Sequence, residues 1–220
     1  MFEQYKSRLK RIYHALRAVF EVRRRIRGSG NRFSYGRCVL RRVVLDIIGD
    51  SNTVRIDDGC VVEGLQVRIR GDNHRLHFER GCFVKDTRVF FEDTGGLISI
   101  GEHTVLHTTN LSAVEDNQSI RIGARSAIGE GSDMRTSDSH SILDMESGKR
   151  LNPPASIRLG DHVWIGKDVR VLKGITIGNN CVVGLGSVVT RDIPDNCVAI
   201  GIPAKVLRTG ATWDWEKLPC

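Results

Sequence analysis

His140 is the residue of this chain best placed to do chemistry. It lies in a short polar segment, Thr136-Ser137-Asp138-Ser139-His140-Ser141-Ile142. Imidazole titrates close to neutral pH, so it can remove the proton of an attacking hydroxyl group as a general base. Asp138 or Asp144 could accept a hydrogen bond from the other ring nitrogen and orient the ring, and the sequence does not decide between them. Taken alone, a histidine in a polar loop can also be a plain surface residue.

The sequence that follows this segment is periodic. Every sixth residue is aliphatic in the set Leu159, Ile165, Val171, Ile177, Val183 and Val189. A second set of mostly small or β-branched residues comes four positions after each of these: Val163, Val169, Ile175, Cys181, Ser187 and Ile193. A period of six fits neither an amphipathic helix nor an alternating strand. It indicates a parallel β-helix, in which three such units form one coil and the aliphatic residues point inward.

A longer repeat precedes it, with apolar pairs every 22 residues: Val54 and Ile56, Leu76 and Phe78, Ile98 and Ile100, Ile120 and Ile122. We interpret 22 residues as one 18-residue coil plus a four-residue bulge at one corner, with successive rungs about 4.8 Å apart. The pattern returns at Ile157-Arg158-Leu159, 37 residues after Ile120. An insertion of 15 residues therefore lies within the loop 132–156, which contains His140. Loops on a rigid scaffold often carry function.

The net charge of +7 resides in residues 1–27, which hold nine Lys or Arg and two Glu. An apolar stripe predicts an amphipathic helix there, formed by Phe2, Tyr5, Leu9, Ile12, Leu16 and Val19. The segment is too charged to span a bilayer and lacks the features of a signal peptide. It could pack on the β-helix or on a neighbouring subunit. It could also lie on an anionic membrane surface at the cytoplasmic face, with Arg23-Arg24-Arg25 near headgroups.

These patterns divide the chain into a basic helix and linker (1–30), a β-helix (31–210) and a tail (211–220). The β-helix is neutral and carries no nucleic-acid-binding module, so we expect no nucleic-acid partner. None of the six cysteines is in a CxxC motif, and Cys60, Cys82 and Cys181 fall at inward repeat positions. Buried reduced thiols in a cytoplasmic protein are expected, and a metal site is not.

Three motifs occur in order along the chain: His162-Val163-Trp164-Ile165-Gly166, then Gly184-Leu185-Gly186-Ser187-Val188-Val189-Thr190-Arg191-Asp192-Ile193-Pro194, then Gly201-Ile202-Pro203-Ala204-Lys205-Val206. With the His140 loop, they make residues 45–210 resemble the hexapeptide-repeat acyltransferases. The resemblance is closest to the O-acetyltransferases of capsule, polysialic acid and exopolysaccharide synthesis. It implies an all-β solenoid, the left-handed parallel β-helix, with a protruding active-site loop. It also implies a homotrimer whose active sites lie between adjacent subunits.

The resemblance further implies that acetyl-CoA is the co-substrate and that His140 is the general base of a direct transfer in a ternary complex. Trp164 would lie beside the pantetheine arm, although it could instead be a packing aromatic at a corner. The CoA groove would be lined by Lys167, Leu185, Thr190, Arg191, Lys205 and Arg208. Leu185 stands where an alanine is usual. Asn110 and Glu115 would contact the acceptor, although both could instead serve the turn between them.

The function expected is therefore acetyl transfer to a sugar hydroxyl of a polysaccharide or another glycan. An N-acetyltransferase of amino sugars, or a drug-modifying acetyltransferase, would use the same base and co-substrate. Two remote alternatives are a zinc carbonic anhydrase on the same β-helix and a non-catalytic scaffold. The zinc enzyme would need three histidines, for which His74, His77, His103 and His107 are candidates.

Overall fold

The structure is a computed structural model that describes residues 21–219, and every regular element within that range is a β-strand. In chain order the strands are β1 (Val22–Arg27), β2 (Arg32–Tyr35), β3 (Val39–Arg41), β4 (Val43–Ile48), β5 (Thr53–Ile56), β6 (Val61–Glu63), β7 (Gln66–Asp72), β8 (Arg75–Phe78), β9 (Phe83–Lys85), β10 (Arg88–Thr94), β11 (Leu97–Ile100), β12 (Val105–His107), β13 (Asn110–Ala113), β14 (Ser119–Ile122), β15 (Ala127–Ile128), β16 (Asp133–Arg135), β17 (Ile157–Leu159), β18 (Trp164–Ile165), β19 (Arg170–Val171), β20 (Thr176–Ile177), β21 (Val182–Val183), β22 (Val188–Val189), β23 (Cys197–Gly201) and β24 (Ala204–Thr209).

The strands form three sheets that wrap around one core. Sheet A has the order β1-β4-β7-β10-β13-β16-β19-β22, sheet B has β2-β5-β8-β11-β14-β17-β20, and sheet C has β24-β23-β21-β18-β15-β12-β9-β6-β3. The chain visits sheets B, C and A in turn, so each coil stacks on the preceding one. The pairs between coils are parallel, and β23 with β24 forms an antiparallel hairpin. The predicted solenoid is confirmed.

The inward residues are those that the two repeats predicted. The six aliphatic residues of the six-residue repeat are at most 2% exposed. Ile120 and Ile122 of β14 pair in register with Ile157 and Leu159 of β17. The coil therefore resumes at Ile157, as the sequence pattern predicted, and the inserted loop leaves the solenoid between β16 and β17.

The four extra residues of the 22-residue coils do not form a bulge, which corrects that interpretation. They lengthen sheet A, where β7 and β10 have seven residues each and β19 and β22 have two. The added residues stay in register, since Glu92 pairs with Arg70 and Thr94 with Asp72. A longer strand satisfies the added backbone groups by hydrogen bonding to the neighbouring coil, which a bulge would leave unpaired.

The expected helix does not extend through residues 22–27. They form β1, the first strand of sheet A, which pairs with β4, so the solenoid begins at Val22 and not at residue 31. Val22 and Ile26 align with the inward residues Val43 and Ile47, a period of two that the helical stripe obscured. The guanidinium of Arg24 lies 4.6 Å from the ring centroid of Phe33 and covers the end of the core. The rest of the proposed helix, residues 1–20, lies outside the described residues.

The buried thiols agree with the prediction for the cysteines within the described range. Cys38, Cys60, Cys82, Cys181 and Cys197 are all free and buried. The thiol of Cys82 donates to the carbonyl of Gly101 at 3.2 Å, one coil further along. None of the described residues forms a helix long and apolar enough to cross a bilayer.

Candidate active site

The inserted loop leaves the solenoid at the A–B corner, the turn that leads from each strand of sheet A into sheet B. Its base is closed by hydrogen bonds on both sides. The hydroxyl of Thr136 accepts from the amide of Val114 at 2.9 Å, and the amide of Ala155 donates to the carbonyl of Thr136 at 2.9 Å. Further out, Leu143 and Arg150 form an antiparallel bridge. The loop is therefore an ordered hairpin and not an open coil.

Glu115 fastens this loop to the preceding coil. Its carboxylate accepts two hydrogen bonds from the Arg150 guanidinium, at 2.6 and 2.7 Å, and another from the hydroxyl of Ser137. The hydrogen bonds from Arg150 lower the pKa of Glu115 from 4.5 to about 2. A two-point contact between arginine and carboxylate fixes direction as well as distance. Glu115 therefore holds the loop, and its contact with an acceptor stays a prediction.

Lys173 and Asn152 hold the part of the loop next to His140. The ammonium of Lys173 donates to the carboxylate of Asp138 and, at 3.1 Å, to the backbone carbonyl of Asn152. The side-chain amide of Asn152 donates to Asp138 at 2.7 Å and to the backbone carbonyl of His140 at 2.8 Å. Its oxygen accepts from the amide of Ile142 at 2.7 Å. These bonds fix the backbone on both sides of the histidine.

Neither candidate carboxylate bonds to the His140 ring in the described residues, so the orienting role of Asp138 stays a prediction. The Asp138 carboxylate is committed to Lys173 and Asn152, and the hydrogen bond from Lys173 lowers its pKa. Asp144 accepts from the backbone amide and the hydroxyl of Ser147, both at 2.7 Å, so it closes a local turn. The exposed imidazole of His140 makes no hydrogen bond with the residues that the structure describes.

Trp164 lies on sheet C, in a cluster that contains all three tryptophans of the chain. The ring of Trp213 stacks on His162 at 4.5 Å with an interplanar angle of 13°, and its Nε1 donates to the carbonyl of His162 at 2.8 Å. Trp164 and Trp215 lie 5.9 and 4.9 Å from Trp213 between ring centroids. Trp164 remains 45% exposed in the middle of the sheet, so it is not a packing residue at a corner. The C-terminal tail therefore folds back beside it.

Four of the six expected CoA-groove residues lie along sheet C and the turn that follows it. Lys167 and Leu185 occupy equivalent turns of adjacent coils, because the amide of Gly186 donates to the carbonyl of Lys167 at 2.8 Å. Lys205 and Arg208 lie on β24, at the end of sheet C. Register places Trp164, Val182, Val198 and Arg208 in one row across four successive strands.

The other two expected groove residues, Thr190 and Arg191, lie elsewhere. They are exposed and follow β22 at the A–B corner, on the side of the solenoid that carries the His140 loop. Asn110 begins β13 in sheet A, half-buried, and pairs in register with Asp133. One protomer therefore does not gather all the candidate residues at a single place.

The separation of His140 from Trp164 follows from the architecture. In a prism with three faces, the edge shared by sheets A and B lies opposite sheet C. The hydrogen bonds described for the loop go to neighbours at the A–B corner, through Val114, Glu115, Lys173 and Gly174. Within one protomer, His140 and Trp164 therefore lie on opposite sides of the solenoid.

Sequence reasoning missed three residues of the site: Arg150, Asn152 and Lys173. No motif marks them, because their roles depend on which corner the loop folds against. For Arg150 and Asn152, the available signal was their position within the insertion. Lys173 occupies a turn of the six-residue repeat, and only the stacking of coils brings it next to Asp138.

Two of the four histidines considered for zinc, His74 and His77, have other partners. His74 is fully buried, and its two ring nitrogens contact the amide of Gly96 at 3.0 Å and the carbonyl of Asp93 at 3.1 Å. Burial lowers the pKa of His74. His77 pairs with Asp57 at 3.0 Å. Within residues 21–219 no three His, Cys, Asp or Glu residues are grouped so that they could hold a metal ion.

Comparison with known proteins relates this architecture to sugar acetyltransferases. Residues 156–191 match a family model described as bacterial transferase hexapeptide (six repeats). The chain is 33% identical over 119 residues to a polysialic acid O-acetyltransferase of Escherichia coli O1:K1 / APEC, and the match covers 54% of this chain and 38% of that protein. The crystal structure of the polySia specific acetyltransferase NeuO superimposes with a TM-score of 0.81, at 30% identity and over 89% of each chain. The polysialic acid O-acetyltransferase OatWY shares the fold, with a TM-score of 0.72 at 24% identity over 90% of this chain and 93% of its own.

Proposed function

Since this chain belongs to the hexapeptide-repeat acyltransferase family, we propose that it is an acetyl-CoA-dependent O-acetyltransferase. The proposed acceptor is a sugar hydroxyl of a polysaccharide or another glycan. The active site is completed between two subunits of a homotrimer. The observation that carries this proposal is the fixed backbone of His140 on the side of the solenoid opposite Trp164 and the groove residues of sheet C.

A site shared between two subunits would bring His140 of one subunit close to Trp164 of the next. In this arrangement, the A–B corner of one protomer contacts sheet C of the next. Because this contact joins two different surfaces, the same contact can repeat around a closed ring of subunits. The outward row of sheet C around Trp164 supports this docking, because Val105, Ala127, Val182 and Val198 are all apolar. Each ring contact then brings the His140 loop of one subunit to Trp164 of its neighbour.

The proposed reaction is one direct transfer. The His140 imidazole removes the proton of the sugar hydroxyl as its oxygen forms a bond to the thioester carbonyl carbon of acetyl-CoA. The carbon–sulfur bond then breaks, the acetyl group stays on the sugar oxygen, and the CoA sulfur leaves with the proton from the imidazolium. No covalent acyl-enzyme is formed. Water or backbone N–H groups would stabilise the oxyanion.

The loop contacts support His140 in this role. A general base must be held within hydrogen-bonding reach of the hydroxyl, and small displacements of the base reduce the rate. Asn152 bonds both the carbonyl of His140 and the amide of Ile142, and the Glu115–Arg150 pair anchors the loop behind them. The ring itself is left exposed for a substrate or a neighbouring subunit.

Charge supports CoA as the donor carrier. Lys167, Lys205 and Arg208 are exposed along sheet C and the turn after it, in the part of the chain that the resemblance assigns to the CoA groove. Lysine and arginine bind the phosphates of a polyanionic nucleotide by charge-assisted hydrogen bonds. In the trimer, Thr190 and Arg191 of the subunit that provides the loop would approach the same groove.

We place the protein in the cytoplasm, where its buried free thiols would remain reduced. A peripheral contact with the inner face of the membrane through residues 1–27 stays part of this proposal. Of that segment, the described strand β1 directs Arg23 and Arg25 outward, in register with Val44 and Asp46.

The experiment is mass-spectrometric detection of acetyl transfer from acetyl-CoA to a panel of acidic and neutral oligosaccharides. Wild type is compared with His140→Ala and with Asp144→Asn, a loop variant outside the proposed chemistry. We expect O-acetylated glycan with the wild type and Asp144→Asn, and a rate lower by about 10²–10⁴-fold with His140→Ala. Unchanged turnover by His140→Ala would contradict the mechanism, and acetylation of amines alone would assign an N-acetyltransferase.

A further inference from the structure

The outer surface of sheet B is strongly basic. Its outward positions form what we term the sheet B face: Arg32, Ser34, Thr53, Arg55, Arg75, His77, Leu97, Ser99, Ser119, Arg121, Arg158 and Thr176. The alternate residues of these strands point into the core. The face therefore holds five arginines and one histidine, and none of its members is a carboxylate.

Arg121 and Arg158 are the key pair on this face. They are direct partners in the register of β14 and β17, so their backbones are about 4.8 Å apart. Both are exposed, and neither forms an ion pair with any residue in the described range. Like charges directly opposite on a sheet are unfavourable unless something neutralises them. Arg55, by contrast, already pairs with Asp57 at 2.7 Å.

The other two sheets differ in composition. In sheet A, carboxylates stand among the outward arginines: Arg70 pairs with Asp46 at 2.5 Å, and Arg170 is the register partner of Asp133. In sheet C, the outward row is mostly apolar, as at Val105 and Ala127. The sheet B face is therefore distinguished by having arginines at its outward positions and no carboxylate among them.

The key pair lies next to the base of the loop that carries His140. Ser156 ends the loop, and its hydroxyl accepts a 2.9 Å hydrogen bond from the amide of Ser119. Arg158 in β17 lies two residues after Ser156, and Arg121 in β14 lies two residues after Ser119. A molecule bound along the sheet B face would thus reach the A–B corner where the loop emerges. From β2 to β17 the face spans five strand spacings, about 24 Å.

We propose that the sheet B face binds an extended acidic polysaccharide, and that Arg121 and Arg158 hold its acidic groups nearest to the reacting sugar. This inference rests on the proposed acetyltransferase function, and it makes the acceptor an anionic polymer. Guanidinium groups suit this task, because they bind carboxylates in two-point contacts and stay charged at all physiological pH values. Arg75 and Arg32 continue the same surface toward the N-terminal coils, so longer chains bind more tightly than short ones.

The test measures binding separately from catalysis. Fluorescently labelled polysialic acid, in short and long chains, is titrated with His140→Ala protein in the absence of acetyl-CoA, and a neutral dextran is the reference. Arg121→Gln/Arg158→Gln is compared in this background with Arg23→Gln/Arg25→Gln, which removes two outward charges from sheet A instead. We expect the first pair to weaken binding of the acidic chain by tenfold or more at low salt, with the control close to the parent. The salt dependence of binding should fall with the removed charges.

Three results would overturn the inference: unchanged binding by the Arg121/Arg158 variant, an equal loss with the control, or a changed oligomeric mass. Thermal unfolding verifies that both variants fold. Different results would reject the acetyltransferase function and the binding role of the sheet B face. Acetyl transfer to neutral glycans without affinity for the acidic chain rejects the basic face alone. Arginine-dependent binding of the acidic chain without transfer to any glycan rejects the acetyltransferase alone.

Discussion

The side-chain amide of Asn152 donates a 2.8 Å hydrogen bond to the backbone carbonyl of His140, across the two sides of the inserted hairpin. Asn152 is only 8% exposed, so this bond is protected from water. Through it, the orientation of the proposed base depends on a residue twelve positions away, at the end of the hairpin that returns to the solenoid.

Asn152→Ala should therefore lower kcat while leaving the KM for acetyl-CoA unchanged. The variant loses the bonds to the backbone at His140 and Ile142 and keeps the Lys173–Asp138 pair. Because misplacing a catalytic group by about 1 Å can reduce the rate about 10²-fold, we expect a loss of about 10- to 100-fold. Steady-state kinetics with each substrate varied will measure it. Asn179→Ala, in a turn away from the loop, is the control, and an equal loss there would remove the special role of Asn152.

The Glu115–Arg150 pair should make anchoring of the loop sensitive to acid. The pKa of Glu115 is lowered in the folded protein to about 2 from 4.5. A carboxyl with a lowered folded pKa stabilises the fold fully above its unfolded value, and that contribution is lost as pH falls through the folded value. We expect carbon-13 NMR of the Glu115 carboxyl to show an ionised group at pH 3.5.

Glu115→Gln tests the same pair near neutral pH. Without the charged partner, Arg150 should release the hairpin, and amide hydrogen exchange of residues 138–150 should accelerate while exchange in the strands does not change. Glu146→Gln, an exposed charge on the same loop, is the matched control. If the hairpin amides of Glu115→Gln exchange at the wild-type rate, the other loop contacts are sufficient to hold the hairpin. The proposed anchoring role of Glu115 would then be wrong.

Trp213 should act on the donor side of the site. It stacks on His162 and lies beside Trp164, so its removal takes away a neighbour of Trp164 and leaves the His140 loop of the same subunit unchanged. We expect Trp213→Ala to raise the KM for acetyl-CoA severalfold and to leave the KM for the glycan unchanged. Trp215→Ala, at the edge of the same cluster, should have a smaller effect. A change confined to the glycan KM would place the tail at the acceptor instead.

Lys205 and Arg208 should contribute to CoA affinity through charge. Each is exposed on β24, and each would meet phosphate groups of the proposed co-substrate. Lys205→Ala and Arg208→Ala should each weaken CoA binding by about tenfold in calorimetric titrations, which is the range for one charge-assisted hydrogen bond. Lys217→Ala removes a tail charge as a control. If both variants bind CoA with the wild-type affinity, the phosphate groups of CoA do not bind at β24.

Much of the fold was predictable because a β-helix repeats one local solution. Ile98, Ile120 and Ile157 occupy the same position in successive coils, so the periodicity alone located the insertion. The start of the solenoid was not predictable in this way. Residues 22–27 are rich in arginine and lie at the N-terminal edge of the core, so their alternation of inward and outward positions is weak in the sequence.

The candidate site was predictable only where one residue type suits the chemistry, as the proposed base His140 does. The hydrogen-bond partners of the other candidate residues were not predictable, because they depend on contacts between coils. Glu115 and Asp138 both have the right chemistry for a substrate contact or for orienting a histidine, and both are taken by cations that the stacking brings close, Arg150 and Lys173. The proposed sharing of a site between subunits rests on which edge and which face of the solenoid carry the candidate residues, and only the three-dimensional path of the chain reveals this.

The most direct test of the shared acetyltransferase site is activity in mixed oligomers of two variants, each of which lacks one residue of the proposed site. His140→Ala and Trp164→Ala subunits with different tags are refolded together, and native mass spectrometry verifies that they mix. If each site takes His140 from one subunit and Trp164 from the next, about one site in four is intact after random mixing at equal amounts. We predict that acetyl transfer is restored to roughly a quarter of the wild-type rate. Mixed oligomers no more active than the separate variants would show that the two residues do not act in one site between subunits.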